Sequence, residues 1–223
     1  MTERIPLFPL GTVLFPGLVL PLHIFEERYR QLVRDLVQQG EGATRSFGVV
    51  AIREGREVGA DGVRALHEVG CTTVVHQVQP HADGRFDLMT AGARRFRLHA
   101  LDDRLPYLVG EVELLDEQAG ADAAVLTTRV GRMFARYRDG LLAARGQQAP
   151  GRPELPVEPT VLSYLVAAAM VLDLADKQRL LAAPDAATRL RFELGLLQRE
   201  NALITALPSL PATELARRPY GSN

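Results

Sequence analysis

The sequence predicts an α+β protein in which strands come first and helices follow. Residues 5–25, IPLFPLGTVLFPGLVLPLHIF, contain no formally charged side chain, and four prolines interrupt them. In residues 46–115 apolar and polar side chains alternate in several runs, whereas beyond residue 122 apolar side chains recur at helical spacing. This change of period indicates a sheet-forming region followed by a helix-forming region.

The uncharged opening run is long enough to cross a bilayer as a helix, but its prolines and glycines would break the backbone hydrogen bonds of that helix. A secretory signal would need a basic start and a small-residue cleavage site, whereas Glu3 and Arg4 cancel and no Ala-x-Ala follows. We therefore predict an extended β segment inside a sheet core, and no membrane partner.

The segment after the opening run, IFEERYRQLVRDLVQQG, predicts the first helix, and Gly40 is expected to end it. Its other face carries Glu26, Arg30 and Arg34 at i, i+4 spacing, which is typical of a solvated, salt-bridged surface. The predicted apolar stripe consists of Phe25, Tyr29, Leu32, Val33 and Leu36.

Strands are predicted next, because the apolar period falls to two. Between the two longest alternating runs lies the pair Asp83 and Gly84, which favours a type I′ hairpin with positive φ at both central residues. The runs are SFGVVAIRE, ALHEVGCTTVVHQVQ, GRFDLMTAGARRFRLHAL and LPYLVGEVELL.

A polar hinge, DEQAGADAA, separates the strands from the helices. We predict a domain boundary there, with a β-rich domain over residues 1–118 and a helical bundle over residues 119–223. The predicted helices are AAVLTTRVGRMFARYRDGLLAAR, TVLSYLVAAAMVL, ADKQRLLAA and AATRLRFELGLLQRENALITAL.

Two of these helices have predicted caps. Asp173 and Asp185 each precede a helical run, where a carboxylate can accept a hydrogen bond from the first turn. Pro208 and Pro211 are expected to end the last helix. The core stripe predicted for that helix consists of Leu190, Leu194, Leu197, Ile204 and Leu207.

Charge and cysteine content restrict the function classes. The formal net charge is −1 and the pI is near 6.5, so the chain as a whole has no attraction for nucleic acid. Its single cysteine, Cys71, excludes an internal disulfide and a cysteine zinc site, and it fits a reducing cytoplasm.

Four segments together resemble a known family. They are IPLFPLGTVLFPGLVLPLHIFEERYRQLV, the pair Val69–Gly70, AGARRFRL, and LADKQRLLAAPDAATRLRFELGLL. In this order and at these distances they are similar to the N-terminal substrate-binding domain of Lon proteases, a domain also found in cereblon, and PLHIFE is similar to the stand-alone bacterial form. The resemblance spans nearly the whole chain. It implies a PUA-like β half-barrel with one helix, followed by an α-helical bundle.

The same comparison implies which parts of a Lon protease to expect here. The sequence has no G-x-x-x-x-G-K-[ST] loop, and it stops before a serine-lysine protease domain could begin. We therefore expect no enzyme, no catalytic residues and no cofactor.

Other catalytic and metal constellations in the sequence are weak. Cys71 could pair with His67 or His76 as nucleophile and base, but mid-strand placement favours a buried hydrophobe. His23, Glu26 and Glu27 have the spacing of a metal-binding helix face, yet no further ligands are in view, so we predict no metal site and a histidine paired with a carboxylate. The remaining histidines, expected at the surface or at edges, are His67, His76, His81 and His99.

An alternative function is RNA binding by a PUA-like protein. Arg94, Arg95 and Arg97 form a compact basic cluster, with Phe86 and Phe96 nearby for base stacking. Against this function, alternation places Arg95 and Arg97 on one strand face and Phe96 on the other, as in an ordinary half-buried strand, and the near-neutral net charge gives no electrostatic attraction for RNA.

The function that the resemblance favours is a non-catalytic, cytoplasmic module that recognises unfolded or exposed polypeptide segments. The candidate contacts are Phe15, Pro16 and Leu18 around Gly17, and an interdomain groove near the proline-rich loop 145–159. A scaffold for one dedicated protein partner is a further alternative. Client identity and oligomeric state are left open by the sequence.

Overall fold

The computed structural model describes residues 2–38, 45–55, 63–147, 151 and 154–206, with backbone alone for residues 63 and 64. Within these ranges strands precede helices except for one helix, α1, at Glu27–Val37, so the α+β prediction is confirmed. The strands are β1 Thr2–Leu10, β2 Val19–Ile24, β3 Ser46–Gly55, β4 Val63–Leu66, β5 Val69–Pro80, β6 Phe86–Asp102 and β7 Val109–Leu114.

The strands form one curled sheet in the order β1-β7-β6-β5-β3-β4, and β2 pairs with β6. β1 also pairs in parallel with β3, Leu7 opposite Gly48, so five of the strands close into a ring. Its interior is filled by side chains such as Leu7 and Phe96, both 0% exposed. A Cβ on Gly70 would lie 2.3 Å from the Phe96 ring, which is why a residue without a side chain stands there.

The helix α1 covers the outside of the sheet through the stripe that the sequence predicted. The ring of Tyr29 stacks on Phe8 with 4.1 Å between centroids, and Leu32 and Leu36 are buried in the same cluster. Phe25 was wrongly included in the stripe: it precedes the helix and is 50% exposed. Gly40, the predicted helix end, lies outside the described residues.

The predicted hairpin joins β5 to β6, but its turn type differs from the prediction. Gly84 has φ 81° and Asp83 does not adopt positive φ, so the turn is not type I′. The amide of Gly84 donates to the carbonyl of His81 at 3.0 Å, and the amide of His81 donates to the carbonyl of Arg85 at 2.9 Å. This is a type I turn followed by a left-handed glycine, in which one positive φ suffices.

Four helices follow within the described residues, and the two caps that the sequence predicted are confirmed. Asp173 accepts from the amide of Asp176, and Asp185 from the amide of Thr188, each at 2.7 Å. In the last helix Leu190 and Leu197 are 0% exposed, while Leu207, Pro208 and Pro211 lie outside the described residues. The helices are α2 Ala123–Ala144, α3 Pro159–Ala169, α4 Leu174–Ala182 and α5 Ala186–Ala206.

The sheet and the helices share a core cluster. Phe15 and Val69 from the sheet side pack with Tyr164, Leu180 and Leu181 from the bundle, all of them buried. The predicted domain boundary between residues 118 and 119 lies in the segment that connects β7 to α2, and the division into two domains stays a prediction. No helix in the described part of the chain combines the length and the apolarity needed to cross a membrane.

Candidate functional site

A groove with a volume of about 870 Å³ runs along the helical bundle. It lies between α2, the last turns of α5, and residues 155–157, which lead into α3. We call it the bundle groove. Its apolar lining includes Phe134, Leu155, Leu162 and Ile204. A concavity of this size, partly apolar and open to solvent, is typical of a ligand or peptide site.

Small side chains on α2 keep the bundle groove open. Thr128, Gly131 and Ala135 follow one another at helical spacing along its lining. A Cβ on Gly131 would meet Leu155 at 3.6 Å, an ordinary contact distance. Val157, on the opposite wall, is 89% exposed, so an apolar side chain is presented to solvent with little packing of its own.

The rim of the bundle groove carries positive charge. Arg132 and Arg136 line it and are exposed on α2. Arg138 pairs with Asp139 at 3.0 Å, and its guanidinium also donates to the carbonyl of Gly151 at 3.3 Å. The groove therefore combines an apolar wall with a basic rim.

The bundle groove differs in position from the interdomain groove predicted near residues 145–159. Residues 155–157 of the proline-rich loop do line a groove, as expected, but its other walls are α2, α3 and α5. These helices all follow the sheet, so the concavity lies inside the helical region. Residues 148–150 and 152–153 of the same loop lie outside the described residues.

The turn of Phe15, Pro16 and Leu18 does not line the bundle groove. Phe15 is 1% exposed, with its ring 6.2 Å from that of Tyr164, so a peptide-contact role for Phe15 is wrong: its side chain fills the core between sheet and bundle. Pro16 and Leu18 are half-buried beside the exposed Gly17.

Arg95 lies in the interior, contrary to its proposed role in RNA contact. Its side chain is 1% exposed, and its Nε donates to Oε1 of Glu117 at 2.5 Å. Its Nη1 donates to the carbonyls of Leu181 at 2.8 Å and Ala183 at 2.5 Å, at the end of α4. A phosphate cannot reach this guanidinium, because the end of α4 covers it.

The other members of the basic cluster do not form a binding surface with Arg95. Arg94 pairs with Asp116 at 3.2 Å, and Arg97 is exposed on the strand. Phe96, expected nearby for stacking, lies inside the ring of strands at 0% exposure. The structure thus separates the three arginines into one buried and two exposed positions.

A polar network centred on the partly exposed Glu117 joins the sheet to the bundle. The Tyr164 hydroxyl donates to Oε1 of Glu117 at 2.5 Å and accepts from Nη2 of Arg189 at 2.9 Å. Arg189 is 0% exposed and also donates to Ser163 at 2.9 Å. Burial raises the pKa of Tyr164 and lowers the pKa of Arg189. Sequence analysis missed this network, because Glu117 lies in a stretch that its composition marks as a polar hinge.

The structure also places the residues of the weak catalytic and metal constellations. Cys71 is 0% exposed, and burial raises the pKa of its thiol to about 12, so the mid-strand interpretation is confirmed. Glu26 pairs with Arg28 at 3.0 Å, and Glu27 with Arg34 at 2.8 Å. His23 instead contacts a carboxylate on another strand, so it does not share a metal-binding helix face with Glu26 and Glu27.

Comparison with known proteins fits this fold. Residues 4–199 match the family model described as the ATP-dependent protease La (LON) substrate-binding domain. The chain belongs to this family. Among curated Lon-family relatives, Lon protease 2 of Myxococcus xanthus is 26% identical over 206 residues, covering 91% of this chain and 24% of the relative. The Lon protease of Roseiflexus castenholzii is 30% identical over 214 residues, covering 91% and 25%. The chain thus spans about a quarter of the length of these relatives.

Solved structures of Lon N-terminal domains have the same fold. The Lon N-terminal domain protein from Xanthomonas campestris is 26% identical, with a TM-score of 0.61, covering 86% of this chain and 98% of that one. The N-terminal domain of Mycobacterium avium complex Lon protease has a TM-score of 0.61 at 18% identity, covering 90% and 98%. The resemblance drawn from the sequence signatures is confirmed.

Proposed function

We propose that this chain is a non-catalytic, cytoplasmic binding module for unfolded or exposed polypeptide segments, and that the bundle groove receives them. The observation that carries the proposal is an open groove of about 870 Å³ in a chain of the Lon substrate-binding domain family. The buried thiol of Cys71 supports the non-catalytic part, because a nucleophile needs access to its substrate and a thiolate.

The lining of the bundle groove fits a short apolar segment. Val157 and Leu155 form an accessible wall, and Ile204 faces it from α5. Apolar surface left open to water in a concavity gains free energy when an apolar side chain covers it. Arg132 and Arg136 on the rim favour clients with acidic residues beside the apolar ones.

Binding to such a groove is expected to be weak. An unfolded client loses conformational entropy when it becomes ordered, and the contact area is small, so we expect a dissociation constant of roughly micromolar or higher. Because apolar contact supplies most of the free energy, moderate salt should change the affinity little.

The test is a titration of a fluorescent, casein-like unfolded protein with variants that alter the groove. Gly131→Leu places a side chain in the groove, and Val157→Asp puts a charge on its apolar wall, so both should weaken binding several-fold. The matched controls are Gly195→Leu, a helical glycine with nothing within 4 Å of an added Cβ, and Val125→Asp, at a valine that is 63% exposed on α2. An equal loss of affinity for the unfolded protein in variants and controls would contradict the proposal that the bundle groove is the binding site.

The same titration with a mixed-sequence RNA separates the RNA alternative. Phosphate contacts release counterions, so RNA binding would weaken steeply with salt. The exposed Arg94 and Arg97 are the residues to replace with alanine, because replacing Arg95 would also disturb the core. Salt-sensitive RNA binding without binding of unfolded protein would overturn our proposal, and absence of both would favour a scaffold for one dedicated protein partner.

A further inference from the structure

Three side chains from separate parts of the sheet meet at its surface. His23 lies near the end of β2, His81 in the β5–β6 turn, and Asp87 at the second residue of β6. Nδ1 of His23 lies 2.6 Å from Oδ1 of Asp87, and Nε2 of His81 lies 2.7 Å from Oδ2 of the same carboxylate. We call these three residues the His-Asp-His cluster.

The backbone fixes the positions of all three residues. His23 stands directly opposite Asp87 in the antiparallel register of β2 and β6. The amide of His81 bonds to the carbonyl of Arg85, so the turn that carries His81 is tied to the start of β6. The His23 ring also stacks on Phe25 with 6.3 Å between centroids. The cluster is therefore built on paired strands and a closed turn.

We propose that the His-Asp-His cluster is a binding site for one divalent transition-metal ion of the zinc class. Two imidazole nitrogens and one carboxylate oxygen lie within 4.8 Å of one another, and all three residues are exposed. Zinc binds imidazole nitrogen and carboxylate oxygen at about 2.0–2.2 Å, so small side-chain rotations bring the three atoms around one ion. Water completes the coordination from the open side.

Metal binding replaces the two hydrogen bonds inside the cluster. For the ion to bind Nδ1 of His23 and Nε2 of His81, any hydrogen on these atoms moves to the other ring nitrogen or leaves to solvent.

Arg85 is a charged neighbour of the cluster. Its Nη1 lies 3.4 Å from Nε2 of His23, on the side of the ring away from Asp87. The same guanidinium pairs with Asp83 at 2.6 Å, which offsets its repulsion of a bound cation. Arg85 can therefore keep its ion pair with Asp83 when Nε2 of His23 carries the ring hydrogen.

A metal ion in this cluster would connect β2 to the β5–β6 hairpin. This strand pairs with β6 over residues 19–24 as an addition to the main strand path. An ion held by His23, His81 and Asp87 links its end to the hairpin. An ion that binds the folded chain and not the unfolded one raises the unfolding temperature.

The experiment titrates Zn²⁺ into the tag-free chain by calorimetry, with thermal unfolding as a second readout. The wild-type chain should bind one equivalent and unfold at a higher temperature with Zn²⁺, and His23→Ala and Asp87→Asn should lose both effects. The matched control is His99→Ala, since His99 also pairs with a carboxylate, that of Glu113 at 3.1 Å, and should leave both effects intact.

Folding of each variant is checked by thermal unfolding without metal. All the replaced side chains are exposed, so the unfolding temperature without metal should change little. Co²⁺ in place of Zn²⁺ should give a visible absorption band in the wild-type chain that Asp87→Asn abolishes. Absence of binding by the wild-type chain would overturn the proposal. Zn²⁺ binding that survives in the double variant His23→Ala with His81→Ala would also overturn it. The same holds if His99→Ala loses as much Zn²⁺ binding as His23→Ala.

Discussion

Arg95 and Glu117 are joined across 2.5 Å between Nε and Oε1, and this contact ties β6 to the segment that leads from β7 to α2. The same oxygen accepts the hydrogen of the Tyr164 hydroxyl at 2.5 Å, so a strand, the connecting segment and α3 meet at one atom. The rest of the Arg95 guanidinium satisfies two carbonyls at the end of α4. Charged groups in this interface are thus paired and hydrogen-bonded, as burial requires.

Arg95→Ala should lower the free energy of unfolding by about 3 kcal/mol, because it leaves two buried carbonyls without this donor and removes one of the donors to the Glu117 carboxylate. Arg97→Ala, two positions along the same strand and exposed, should change it by no more than about 0.5 kcal/mol. Urea denaturation of both variants gives the comparison. Equal effects of the two substitutions would show that the Arg95 contacts add no stability.

Glu193 should make the chain less stable as pH rises. It is 0% exposed on α5, and among the described residues neither of its carboxyl oxygens has a hydrogen-bond partner. Burial raises its pKa well above 4.5, although the charge of Arg189 acts in the opposite direction. The folded chain therefore holds a proton that the unfolded chain releases above pH 4.5, so this contribution is complete at low pH and decreases as pH rises towards the folded-state pKa.

The test compares Glu193→Gln with the wild-type chain by urea denaturation at pH 5 and pH 8. The variant should gain stability relative to wild type between the two pH values, because glutamine does not ionise. Glu111→Gln, at an exposed strand position, is the control and should show no such gain. A pH-independent difference for Glu193→Gln would exclude a raised pKa at this residue.

Cys71 should be inert in the folded chain. Its side chain is 0% exposed, and burial raises the pKa of the thiol to about 12, so almost no thiolate is present at neutral pH. A thiol reagent such as Ellman's reagent should label the native chain at least about 100-fold more slowly than the chain in denaturant. Rapid stoichiometric labelling of the native chain would contradict the buried placement.

The uncharged opening run should tolerate a charge at its exposed positions and not at its buried ones. Leu14 is 5% exposed in the cluster under α1, and Leu14→Asp should unfold the chain, because burying an unpaired carboxylate costs several kcal/mol, roughly the stability of a domain. Val19→Asp is the control, since Val19 is 66% exposed in the same run. Circular dichroism and thermal unfolding measure both, and a folded Leu14→Asp variant would place Leu14 outside the core.

Local patterns predicted the elements well, because each pattern reports geometry within one element. The period change near the hinge gave strands before helices, and Asp173 and Asp185 cap their helices as expected, since a cap involves the next three residues alone. The pair Asp83 and Gly84 located the hairpin but not its turn type. The sequence alone did not show how many loop residues would lie outside the hydrogen-bonded pairing of β5 and β6.

The family, the order of strands and helices, the caps and the burial of Cys71 could all be predicted from residues close together along the chain or from ordered signatures. Tertiary structure decided which strand faces are covered: Arg95 is buried because the end of α4 packs on its strand, and no local period contains that information. It also decided the bundle groove and the His-Asp-His cluster, in which His23 meets a carboxylate 64 residues later. Contacts between distant segments depend on how whole elements pack, and packing is a property of the assembled chain.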